Sequence, residues 1–165
     1  MSIVEPMIQE LQHEAVITRK MLERVPEDKM GWKPHEKSMT LGRLASHLAE
    51  IPNWATPIMA QDELVFDPAD YRPTTYGTVA ELLAAADKFV AEAAACMAGR
   101  SDEYMMSEWR MRMGDTVVIE QPRMGVLRGM ILNHAVHHRA QLGVYLRLLD
   151  VPLPAVYGPS ADEHP

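Results

Sequence analysis

The sequence predicts an all-α fold, a four-helix bundle. Three observations point there. Apolar residues recur at helical spacing in four long segments. Extended structure is signalled in one short stretch only, "TVVIE", which reads either as a strand or as an extended crossover. Capping residues, Pro and Gly mark where the helical segments begin and end.

The first helix is expected from about Ile3 to Arg24. Val4, Met7, Ile8, Leu11, Ala15, Met21 and Leu22 form its apolar face, and Pro26 with the loop "PEDKMGWKPHEKS" ends it. The second starts near Thr40, a good N-cap, in "SMTLGRLASHLAEIPNWATPIMA". Pro52 and Pro57 are expected to kink or divide it. A Pro- and Asp-rich loop follows. The third opens on "TVAE", where Thr78 and Glu81 have capping-box spacing, and stops at Gly99, a natural residue just past a helix end. The fourth runs from after Pro122 to about Asp150. No repeat or linker divides the chain, so a single domain over 1–165 is expected, with an irregular tail from about 151.

Composition excludes several classes of function. Of the residues, 47% are hydrophobic and 24% charged, the balance of a folded globular protein. The net charge is −7 and no Lys/Arg-rich run exists, which argues against a nucleic-acid partner. The apolar run "ELLAAADKFVAEAAACMAG" is broken by Asp87, Lys88 and Glu92, which argues against a membrane span. With no basic-then-apolar leader and a single cysteine, Cys96, the expected location is cytoplasmic. Cys96 sits in an alanine-rich helix and reads as a small core residue. No Walker A, GxGxxG or Ser-His-Asp pattern is present.

The chemistry-bearing stretch is "NHAVHHRAQLGVYLR", residues 133–147. His134 and His138 are four apart, so they stand one above the other on one helix face. Gln141 and Tyr145 continue that line, whereas His137 is turned toward the edge of the stripe or solvent. Two imidazoles side by side on an apolar face resist charging, and a divalent metal resolves the conflict by taking a lone pair from each. A third ligand must come from a facing helix. His47, in "LASHLAE", is the candidate, His13 is a weaker rival, and His35 and His164 read as solvated. An isolated pair of this spacing also occurs in ordinary cores and on surfaces; the added core histidine tips the reading toward metal. Three histidines with an open position are the catalytic rather than the structural pattern.

These residues carry a resemblance. "LGRLASHLAEIPNW", "HAVHHRAQLGVYLR", the closing "GPSADE" and the N-terminal loop with its Trp-x-Pro element together resemble the DinB/YfiT-like superfamily over nearly the whole chain. The resemblance implies an up-down-down-up bundle, commonly a homodimer. It implies a metal triad at His47, His134 and His138, with zinc or nickel as the divalent ion. It also implies, as one activity class, thiol S-transferases or isomerases using low-molecular-weight thiols. Metal-dependent hydrolysis is the enzymatic alternative. A non-enzymatic, stress-associated protein with a structural metal is the other. Arg139 and Gln141 match the family's "HRxQ". Gln141 is placed to support a ligand, and Arg139 is expected in a surface salt bridge or subunit contact. Trp32, Trp54 and Trp109 read as packing residues that could also line a pocket. Tyr145 reads as a core residue with a satisfied hydroxyl or as a proton donor to substrate. The methionines of "YMMSEWRMRMG" suit an irregular core, a pocket wall or a dimer contact.

Overall fold

A computed structural model describes residues 2–164. Helix α1 spans Val4–Leu22 and buries Val4, Met7, Leu11, Met21 and Leu22. Helix α2 spans Leu41–Glu50, and Thr40 caps it by accepting the Arg43 N–H at 3.2 Å. The prolines divide the expected second helix rather than bending it. A 3-10 turn at Ile51–Trp54 separates α2 from a short α3, Ala55–Ala60. Pro57 is tolerated because it falls in the first turn of α3, where no intrahelical donor is needed. Helix α4 spans Val79–Met97 and carries the full capping box between Thr78 and Glu81.

Among the described residues the expected all-α architecture is corrected by a small sheet. Strand β1 (Glu63–Val65) pairs in parallel with β2 (Glu108–Met113), and β2 pairs antiparallel with β3 (Thr116–Pro122). The strands form because "EWRMRM" alternates. Trp109 and Met111 turn inward at 0% and 7% exposure, while Glu108 and Arg110 face out. Gly114 makes the turn with φ +58, a left-handed conformation that glycine adopts without steric cost. The sheet is fastened to the helices by Arg123, 1% exposed. It donates to the carbonyls of Gln61 and Glu108, to Ser107 Oγ and to the Asp62 carboxylate.

A further short helix, α5 (Asp102–Met106), precedes the hairpin. The expected fourth helix is present as an unbroken helical run after Pro122: α6 (Arg123–Leu127) leads through a π-helical turn (Arg128–Asn133) into α7 (His134–Leu148). Helix α1 packs on α4 and α7, and α2 packs on the same two. Contacts between Arg19 and Asp87, and between Ile3 and Asp102, make α1 and α4 antiparallel. Glu10 with Arg128, and Thr18 with Arg139, make α1 and α7 parallel. Met39 with Tyr145, and His47 with His134, make α2 antiparallel to α7. No helix among the described residues is long and apolar enough to cross a membrane.

Candidate metal centre

The seam between α2 and α7 gathers three imidazoles. His47 Nε2 lies 3.3 Å from His134 Nε2, and His138 Nε2 lies 2.9 Å from the same atom. The three ligand atoms all fall within 4.8 Å of one another. His13, the rival on α1, is exposed and takes no part; His35 and His164 are exposed as well. His137 is exposed and meets the His138 ring edge-on, with centroids 4.8 Å apart.

The histidine line is the flank of α7 that faces α2, and not the side that faces the core. The core side carries Leu142 and Leu146, both 0% exposed, about 40–80° round from His138. That rotation explains one departure from the sequence reading. Arg139, expected at the surface or in a subunit contact, is buried at 2%. Arg139 reaches α1, where it donates to Thr18 Oγ1, to the Glu14 carbonyl and carboxylate, and to Tyr157 Oη of the tail.

Two oxygen acceptors set the tautomers. His134 Nδ1 lies 3.2 Å from the Met130 carbonyl, which can only accept, so Nδ1 carries the proton and Nε2 keeps its lone pair. The π-helical turn makes this contact available. The backbone N–H of His134 turns to the Ile131 carbonyl, not to that of Met130 four residues back. His138 Nδ1 donates to Gln141 Oε1 at 2.7 Å, which likewise turns its Nε2 lone pair inward. Gln141 was legible from its place on the stripe. The Met130 carbonyl was not, since a π-turn leaves no periodic mark in a sequence.

Lone pairs facing each other at 2.9 Å repel unless a cation lies among them. Nitrogens bound tetrahedrally to one zinc at about 2.0–2.1 Å stand about 3.3–3.4 Å apart. The His47–His134 spacing of 3.3 Å matches that distance, and the His134–His138 spacing of 2.9 Å is shorter by a few tenths of an ångström. Burial, followed by the positive fields of His138, His134 and Arg43, pushes the His47 imidazole down to about 4. Burial also lowers His134 and His138. All three rings are therefore neutral at pH 7, the form a metal requires.

A histidine whose pKa is lower folded than unfolded binds more protons in the unfolded chain. Its neutral burial contributes fully above the unfolded value of 6.5, and that contribution fades as pH falls toward the folded value, about 4 for His47. Chelated protein is expected to lose melting temperature steadily between pH 6.5 and 4. His47→Gln should flatten the decline in calorimetry, and an unchanged slope would contradict this account.

Arg43, one turn before His47, contacts Glu50 at 3.3 Å, the Thr74 carbonyl at 2.9 Å and Tyr71 Oη at 3.3 Å. It brings a fixed positive charge beside the site. Tyr145 donates to the Met39 carbonyl at 3.3 Å and meets Trp32 edge-on at 5.6 Å, so its hydroxyl is satisfied by packing. Trp109 is wholly core, while Trp54 packs against Phe66 at 5.9 Å. Replacing Gln141 with Leu should weaken metal binding about 10–100-fold, because the ring it orients is freed to rotate and change tautomer. A competition titration against a chromogenic chelator measures this, and an affinity equal to wild type would remove Gln141 from the centre.

These observations define a mostly helical bundle with a three-histidine cluster able to hold a metal ion. The DinB family model matches residues 1–164, and the chain belongs to that family. Two solved structures are similar in fold. A DinB-like protein from Bacillus cereus aligns at TM-score 0.71 and 19% identity, covering 94% of this chain and 98% of its own. A DinB-like protein from Bacillus subtilis aligns at 0.68 and 18%, covering 91% and 96%. No curated protein sequence matches the chain.

Proposed function

We propose that this chain is a metal-dependent enzyme in which His47, His134 and His138 hold one divalent cation, zinc or nickel, and that it transfers a small organic thiol to an electrophile. The observation that carries the reading is the three-histidine convergence. Among the described residues no fourth His, Cys, Asp or Glu joins it. Closed sets of four protein ligands belong to structural sites, whereas three leave room for an exchangeable ligand. A cation bound there supplies the Lewis acidity that makes a thiolate from a thiol at neutral pH.

The chain's own residues prepare that chemistry. The Met130 carbonyl and Gln141 hold two imidazoles in one tautomer. Burial keeps the ligands unprotonated. Arg43 adds a positive field that favours an anionic reactant over its neutral form.

The test uses protein purified without an affinity tag, which avoids nickel loaded during purification. About one equivalent of a divalent metal by elemental analysis is expected, together with conjugation of small thiols to an electrophile that chelation stops. Ester or amide turnover without thiol transfer would replace the transferase reading with hydrolysis. No turnover of either kind, with a large fall in melting temperature on chelation, would make the metal structural.

A further inference from the structure

An apolar concavity lies apart from the histidine cluster, with none of the three rings in its lining. It has a volume of about 310 Å3 and opens between α1 and α4. Leu48, Ile131 and Leu132 form its floor, and Ala15, Ala86 and Val90 line its walls. The alanines create the space, since their side chains stop short of the volume between the helices. Native interiors normally fill such volume, because empty apolar space forfeits contacts on every wall.

We infer that this cavity is a binding site for a neutral, apolar small molecule, the size of a bicyclic ring or an eight-carbon chain. Size supports the first half of that statement. An aliphatic cavity of roughly 150 Å3 holds benzene, and small-molecule sites begin at about 300 Å3. Charge supports the second. The charged groups at the mouth are already committed. Arg19 grips both oxygens of Asp87 at 2.8 and 2.6 Å and also meets Glu23 at 3.2 Å. Glu14 is held by Arg139 and by the Tyr157 hydroxyl. No charge on this rim is left to neutralise a carboxylate or an amine, and an ionised ligand would lose its hydration without replacement.

The shape also disfavours a second copy of the chain. A stable protein interface needs about 800 Å2 on each side, which a flat helix face cannot place inside a half-enclosed hollow. The rim ion pair between Arg19 and Asp87 would in addition have to be desolvated by such a partner.

The inference stands apart from the metal reading, and its test can be run on metal-loaded and chelated protein alike. 1-Octanol and octanoate share a chain and differ in charge. Titrating 1-octanol is expected to move the methyl signals of Leu48, Val90 and Ile131 saturably and to raise the melting temperature with concentration. Octanoate is expected to do neither. Ala86→Leu and Val90→Phe, which fill the hollow from α4, should each weaken the 1-octanol response at least tenfold with the metal content unchanged. If one of them fails to fold, the other and the wild-type titration decide. Shifts that never saturate, an equal response to octanoate, or a folded filled variant that responds like wild type would overturn the inference. So would self-association in sedimentation that Val16→Glu abolishes, since that outcome gives the hollow to a second copy.

Discussion

Replacing His134 with Ala is expected to lower bound metal from about one equivalent per chain to under about a tenth, and to cut the proposed thiol transfer about 100-fold or more. His134 is the hub of the cluster, since its Nε2 is the atom that both His47 and His138 approach. Without it the remaining pair stands on two different helices, with two ligands where the metal needs at least three. The same change should leave the metal-free protein folded, and no less stable. In the chelated wild type the Nε2 atoms of His134 and His138 face each other at 2.9 Å with no cation between them, and the substitution removes that repulsion. Elemental analysis, a coupled transfer assay and calorimetry after chelation read the three effects separately. His13→Ala serves as the control, because that ring is exposed on α1 and outside the cluster. A His134→Ala protein that keeps a full equivalent of metal would mean that the ion binds elsewhere.

Much of this centre is legible in the sequence, because helical spacing is a strong geometric constraint. An i, i+4 pair fixes two rings on one face whatever the rest of the fold does. Gln141 follows from the same rule. What spacing could not say is which side of α7 the pair faces. The apolar face suggested the core, yet the histidines occupy the flank against α2, and Leu142 and Leu146 take the core. The arginine that follows His138 therefore points inward to α1. The reading of Arg139 as a surface residue failed because a charged side chain is ordinarily exposed, and its partners Glu14 and Thr18 lie more than a hundred residues away.

Of the sheet, only the "TVVIE" strand was offered by the sequence, and its partners were missed for a different reason. "EWRMRM" alternates at period two as clearly as "TVVIE" reads extended, but methionine has good helix propensity and the alternating partners are arginines. The pattern became a hairpin only because Gly114 and Asp115 turn the chain and Arg123 fastens the result to the Gln61–Asp62 bend. The prolines of the second helix gave the opposite outcome. Their positions announced a break at Pro52, and the break is there, since proline acts through local sterics alone.

The closing "GPSADE" motif is another feature whose presence was readable and whose purpose was not. Ser160 Oγ donates to the Leu153 carbonyl. Asp162 accepts from Arg147 and from the Leu153 N–H, and Glu163 pairs with Arg24. These contacts hold residues 151–163 against α1 and α7. There Tyr157 donates to Glu14 at 2.6 Å and accepts from the buried Arg139. Burial, followed by the bond to Glu14, raises the Tyr157 hydroxyl to about 12, so it remains a donor at any physiological pH. Burial alone would raise Glu14, but the bonds from Tyr157 and Arg139 bring it below its ordinary value and keep it an anion.

Removing that anion should be among the most destabilising single changes in the chain. Glu14→Ala leaves the Arg139 guanidinium, 2% exposed, without its counter-charge. Stranding one member of a buried pair costs about 3 kcal/mol or more. For a domain of this size that corresponds to a loss of about 6–12 °C in melting temperature. The tail should loosen too, because Tyr157 loses the acceptor of its hydroxyl, and amide exchange over residues 151–163 should accelerate. The pair as a whole is not worth that much. Two charges removed together relieve two desolvation penalties, so Glu14→Leu combined with Arg139→Met is expected to regain most of the lost stability. Denaturant melts of the single and double variants test this directly. A double variant as unstable as the sum of the single ones would show that Arg139 acts through its separate bonds to Thr18 and the Glu14 carbonyl, not through its charge.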